Sequence, residues 1–87
     1  MMTADTASAA HARLYWQCRR GMLELDTLLQ GFLERGYAAL DRQGQQSFNA
    51  LLDCPDTELL EYLMGRQRHR EVHINHVIEA IRRCAAP

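Results

Sequence analysis

The sequence predicts an all-α protein, a compact bundle of five short helices. Three observations carry that prediction. β-Branched residues are scarce outside Val72–Ile81, and no segment alternates apolar and polar residues with period two. Apolar residues instead recur at spacings of three and four, which places them along one side of a helix. Glycine and proline interrupt those patterns at intervals that suit short helices.

The first helix is expected from about Ser8 to Arg20, with Leu14, Tyr15 and Cys18 on one face and Gly21 as its stop. The second should run from about Met22 to Tyr37. Met22, Leu25, Leu29, Phe32 and Leu33 form its stripe, and Leu28 widens it. Gly31 lies inside that helix at a cost of about 1 kcal/mol relative to alanine, and Gly36 is a terminator. The third helix spans about Arg42 to Asp53, with Asp41 as N-cap and Phe48, Leu51 and Leu52 facing the core. In "CPDTELLEYLMG", Pro55 halts what precedes it. Asp56 is the expected cap of a fourth helix, Glu58 favours its N-terminal dipole, and Gly65 ends it. Residues 66–71 read as a polar, basic connector. The last helix runs from about Glu71 to Arg83, with Ile74, Val77, Ile78 and Ile81 inward and Arg82 and Arg83 at its C-terminus.

At 87 residues the chain is read as one small domain, residues 1–87, with residues 1–8 as a frayed tail. Hydrophobic residues at 47% and charged residues at 24% are ordinary for a globular protein. A net charge of -1 argues against nucleic acid as a partner. All 10 basic residues are arginine, a side chain suited to planar, bidentate contacts with carboxylates. No apolar run approaches the roughly 20 residues needed to span a membrane, so no membrane insertion is expected. The start has no basic segment followed by an apolar one, unlike a secretory signal. Three widely spaced cysteines, Cys18, Cys54 and Cys84, fit reduced thiols in a cytosolic compartment better than a disulfide framework.

Candidate chemistry is thin. His69, His73 and His76 share roughly one face, but no HExxH or CxxC completes a metal site, so none is expected. Cys18 has Arg19 and Arg20 beside it, which could lower its pKa; a small buried hydrophobe is the favoured reading. No nucleophile–base set and no glycine-rich phosphate loop is present. The expectation is a binding module and not an enzyme.

One stretch stands out. "CRRGMLELD" places two arginines, a glycine and two acids at the junction of the first two helices. Helix-end electrostatics accounts for that order: cations at one C-terminus, anions at the next N-terminus. The same order also suits a docking site, with Arg20 and Glu24 pairing around the corner and Gly21 letting a partner's backbone approach.

Arg20-Gly21-x-x-Glu24 is the RGxxE motif of the SdhE family, the succinate dehydrogenase assembly factors. "LYWQCRRGMLELDTLLQGFLERGY" resembles that family's first two helices, and "LLDCPDTELLEYLMG" resembles its later "PD…L…WLMG" segment, with Tyr62 where tryptophan is common. The resemblance covers about Arg13 to Gly65; the "RQRHREVHINH" region departs from it. It implies a small five-helix protein of the bacterial cytoplasm, without a catalytic site or a stably bound cofactor, that promotes covalent attachment of FAD to a client. The implied client is the flavoprotein subunit of succinate dehydrogenase or fumarate reductase, and the protein is expected to be a monomer. The implied partner-binding residues are Arg20, Gly21 and Glu24, with Asp26 a weaker candidate. The rival readings are an antitoxin-like or regulatory helical protein and a metal or thiol sensor built on His73, His76 and the cysteines.

Overall fold

In the computed structural model, which describes residues 11–85, every regular element is helical. The order is α1 (11–17), α2 (Leu23–Arg35), a 3₁₀ turn (Tyr37–Ala39), α3 (Arg42–Leu52), α4 (Asp56–Leu63) and α5 (Val72–Ala85). The expected start of the first helix at Ser8 and the tail over residues 1–8 lie outside the described residues.

The apolar stripes meet as their spacing requires. Leu25, Leu29, Phe32 and Leu33 of α2 are buried, as are Phe48, Leu51 and Leu52 of α3. Leu59, Tyr62 and Leu63 of α4 join the same cluster. α5 supplies Ile74, Val77, Ile78 and Ile81 and packs against α2, α3 and, less extensively, α4. Phe48 is the aromatic centre: its ring centroid is 5.6 Å from that of Phe32 and 5.3 Å from that of Tyr37, the latter edge-on. Such pairs add to the burial of their area.

Helix ends differ from expectation in instructive ways. α1 ends at Gln17, so Arg19 and Arg20 lie beyond it. Its last carbonyls are taken by the N–H groups of Cys18 and Arg19, which donate to Leu14, Tyr15 and Trp16. Met22 is the residue before α2, in extended conformation, and is 37% exposed. It therefore stands off the stripe to which its spacing assigns it. α2 stops at Arg35, and Tyr37 belongs to the 3₁₀ turn. Asp41 caps α3 as expected, accepting from the Gly44 N–H at 2.7 Å. Asp56 does not cap α4. Pro55 occupies the cap position without a side-chain bond, and the Asp56 carboxylate turns towards Arg20. Gly65 closes α4 with φ +77, a left-handed conformation that glycine adopts without strain.

The connector between α4 and α5 is held from α5. The Asn75 side chain accepts from the His69 N–H at 2.8 Å and donates to the His69 carbonyl. His69 Nδ1 in turn accepts from the Glu71 N–H at 3.0 Å.

Candidate functional site

The α1–α2 junction is a glycine turn pinned on both sides. Gly21 has φ +83, and a Cβ built there would meet nothing within 4 Å. Glycine is therefore required by the backbone and not by crowding, and the space above it is open. On one side of the turn, the Arg20 N–H donates to Asp26 Oδ1 at 2.6 Å. Asp26 lies in the first turn of α2, where the helix dipole also favours its charge.

On the other side, the Arg20 side chain reaches the corner between α3 and α4. Its Nη2 donates to the carbonyl of Leu52, the last residue of α3, and to that of Cys54 at 3.3 Å. Its Nε lies 3.3 Å from Asp56 Oδ1, within ion-pair distance though not aligned as a hydrogen bond. A cation over the C-terminal carbonyls of α3 satisfies groups the helix leaves open. The expected Arg20–Glu24 pair does not form, because the guanidinium turns inward to these partners. Glu24 stays exposed in the first turn of α2. Its negative charge reaches Arg66, whose basicity is raised mainly by its hydrogen bond and charge contact with Glu61 and less by Glu24.

Beneath the junction lies Cys18, fully buried. Burial pushes its thiol up to about 11; Arg20 pulls it down and Asp26 pushes it further up, both less strongly. The neighbouring arginines do not make it reactive, because desolvation of the thiolate outweighs their field. The Cys54 thiol is raised as well, again chiefly by burial.

The chain on either side of the junction exposes apolar side chains. Among the described residues the exposed large hydrophobics are Trp16 at 65%, Met22 at 37%, Leu23 at 82% and Val72 at 63%. Three of those four flank Gly21 in sequence. The Arg19 guanidinium lies over the Trp16 ring, 5.2 Å from its centroid, which keeps that ring displayed beside a cation. Exposed apolar groups gathered around a polar rim mark interaction surfaces.

The sequence brought Arg20, Gly21, Glu24 and Asp26 together, and the structure divides them. Gly21 and Glu24 face outward, while Arg20 and Asp26 hold the turn. Sequence reasoning missed Trp16, Leu23 and Asp56. Leu23 was legible in part, since it falls two positions before Leu25 and so off the buried stripe. Nothing in the sequence linked Asp56 to Arg20.

The histidine region brings no comparable constellation together. The rings of His73 and His76 are 6.4 Å apart, and no group of three or more histidines, cysteines or acids able to hold a metal ion occurs among the described residues. His73 and His76 line a groove of about 480 Å³ with Asp41, Gly44 and Arg83, at the end of α3 opposite Arg20. No helix of the described residues is long and apolar enough to cross a membrane.

A family model described as "Flavinator of succinate dehydrogenase" matches residues 12–85. The chain is similar to the "FAD assembly factor SdhE" of Shewanella oneidensis, 40% identical over 76 residues, covering 87% of this chain and 93% of the relative. It is 39% identical to the protein of that name from Pseudomonas aeruginosa over 69 residues, 79% and 82% of the two chains. With that of Vibrio parahaemolyticus, identity is 47% over 57 residues, 66% of each chain.

Proposed function

The chain belongs to the family of succinate dehydrogenase flavinators, and on that premise we propose that it binds the flavoprotein subunit of succinate dehydrogenase and promotes covalent attachment of FAD to it. The family match supports the reaction. The observation that supports the site is the segment around Gly21, where an open, left-handed glycine lies in a stretch of chain that exposes Trp16, Met22, Leu23 and Glu24.

Attachment would join a client histidine nitrogen to the 8α-methyl carbon of the flavin, breaking the N–H and one methyl C–H bond, with the two electrons and two protons passing to the flavin ring, which is left reduced. The reacting groups belong to the client, so this chain acts as an assembly chaperone and not as an enzyme. Its contribution is to hold a mobile client element against the flavin. Positioning of that kind can contribute several kcal/mol to a barrier. Each surface residue has a role in the hold. Trp16, Met22 and Leu23 offer apolar area that loses water on contact. Gly21 lets a client backbone come close. Glu24 offers a charge to a client cation, and a buried pair of that kind sets specificity. Arg20 and Asp26 keep the turn in shape. Fumarate reductase is a second client of the same chemistry, and the reading is of a cytoplasmic monomer without a stably held cofactor.

The test is covalent flavin on the client, read by in-gel fluorescence in a strain carrying variants of this chain, beside thermal melts of each variant. Glu24→Ala should fold, losing about 0.3–1 kcal/mol of stability, and bind client about 30-fold or more weakly. Gly21→Ala, which strains the turn but adds little bulk, should lose stability more than binding. Gly21→Arg adds a long side chain in the open approach and should abolish binding. Normal flavinylation with folded Glu24→Ala and Gly21→Arg would refute the docking surface.

A further inference from the structure

Residue 20 is tied at both ends. Its backbone N–H is bound to Asp26 of α2, and its side chain, 19% exposed, is spent on Leu52, Cys54 and Asp56 at the α3–α4 corner. Its Nε atom is wholly buried. A guanidinium has five N–H donors in a rigid fork. Here that fork points into the protein, away from the surface that Gly21, Leu23 and Glu24 present. An arginine that turned its Nη2 and Nε to a client would leave these partners and uncover the carbonyls of Leu52, at the end of α3, and of Cys54.

We propose that Arg20 is a positioning residue and that Arg20 and Asp56 together form a clasp. The clasp fixes the Gly21–Glu24 turn in its docking geometry without contacting the client. The inference rests on the client-docking reading above and divides its motif into a contact part and a holding part. It also gives a role in client binding to Asp56, which lies 36 positions from Arg20 in sequence and close to it in space.

The physical reason lies in the neighbouring glycine. Gly21 has more backbone freedom than any other residue type, and that freedom must be removed for the surface to present one shape. With Arg20 anchored on a different pair of helices, the chain enters Gly21 from a fixed point. With Asp26 binding the same residue's N–H, it leaves into α2 from a fixed point as well. Released from the clasp, the turn would populate its docking geometry only part of the time. Apparent affinity then falls by that fraction, so a one-in-ten population means about a tenfold loss with no contact removed.

The experiment measures client affinity and local order together. Arg20→Ala, Asp56→Ala, their double variant, Arg20→Lys and Asp56→Asn are titrated against the FAD-free flavoprotein subunit. Amide hydrogen exchange at residues 21–25 of each free variant is followed beside that of Val77 and Ile78 in the core. Each alanine single should weaken binding about tenfold, and the double variant should be little weaker than the worse single, because both remove one device. Arg20→Lys keeps the charge but not the fork and should show most of the loss. Exchange should quicken at residues 21–25 while Val77 and Ile78 stay protected. If Arg20→Ala does not fold, the two Asp56 variants decide alone: weaker binding with faster exchange supports the clasp. Wild-type affinity in Asp56→Ala and Asp56→Asn would overturn it. So would multiplying losses in the double variant with unchanged exchange, which would mean that Arg20 touches the client. Wild-type affinity in Gly21→Arg and Glu24→Ala would instead overturn the docking reading itself.

Discussion

Two arginine-bearing segments of this chain, "CRRGMLELD" and "RQRHRE", look alike in sequence and are built in opposite ways. The first turns its Arg20 guanidinium inward, onto backbone carbonyls and a carboxylate, and leaves apolar side chains outside. The second keeps its arginines in solvent. Arg66 pairs with Glu61 at 2.8 Å and Arg68 with Glu79 at 3.6 Å, and both side chains are more than half exposed. The connector takes its shape from Asn75 and His69, and the junction takes its shape from an arginine. The lesson is that charge in a loop is informative only together with its burial. A solvated arginine decorates a surface, whereas a desolvated one fixes the backbone around it.

Both segments rest on one core, so its loss should erase the contrast. Phe32 is 3% exposed and packs on Phe48. Its ring also lies so close to Gly36 that a Cβ there would sit 2.5 Å from it. Phe32→Ala should cost about 3–5 kcal/mol, most of the stability of a domain this small. A thermal melt that does not move would mean that α2 buries a different face.

Alkali should affect the junction side through Cys18. The folded protein holds that thiol proton more tightly than the unfolded chain does. The stabilisation is complete below pH 9.0 and is lost as pH rises towards about 11. The loss amounts to at most about 3 kcal/mol. Chemical denaturation across that range should show a steeper decline for the wild type than for Cys18→Ala, which starts lower and has no thiol to ionise. Equal slopes would mean that the thiolate is solvated in the folded protein. The same burial should keep Cys18 from alkylation at pH 8 until the protein unfolds.

Much of this fold was legible because local signals agreed with one another. Phe48, Leu51 and Leu52 fell on one side of α3, Asp41 stood before it as a cap, and all four are used as the spacing required. Boundaries were less legible. Met22 continued the α2 stripe in spacing but precedes the helix, and Asp56 had the chemistry of a cap but was drawn to Arg20. In each case a neighbour distant in sequence, or the helix start itself, decided the outcome. The candidate site was legible as a motif and not as a mechanism. The resemblance picked out Arg20, Gly21, Glu24 and Asp26 as a group, and only the fold separates inward groups from outward ones. Trp16 stayed hidden because an exposed apolar residue leaves no periodic trace, and Leu23 showed only as an apolar residue off the buried stripe.

Removing the inward guanidinium should be the clearest measure of the contrast between the two segments. Arg20→Ala loses two donations to backbone carbonyls and leaves Asp56 without its partner. Hydrogen bonds from charged groups contribute about 1.5–3 kcal/mol, and since the side chain is still partly solvated the lower half of that range is expected. Denaturant unfolding should show the loss in the midpoint with little change in slope. A midpoint equal to that of the wild type would mean that water replaces the guanidinium without cost, and the clasp would then be absent.

The smallest effects should come from the connector, and they test the other half of the comparison. Arg68 is 77% exposed in its side chain, and its contact with Glu79 is long at 3.6 Å. Such a pair gains little Coulomb energy in water and loses side-chain freedom when it forms, so Arg68→Ala should change stability by no more than about 0.5 kcal/mol. Raised salt should leave the difference between variant and wild type nearly unchanged, because little electrostatic energy is there to be screened. The control is Asn75→Ala, which removes the two bonds that hold His69 and should cost about 1–2 kcal/mol. If Arg68→Ala proved as costly as Asn75→Ala, the connector would be held by its surface charges after all. The distinction between a solvated arginine and a buried one would then fail as the account of why these two segments differ.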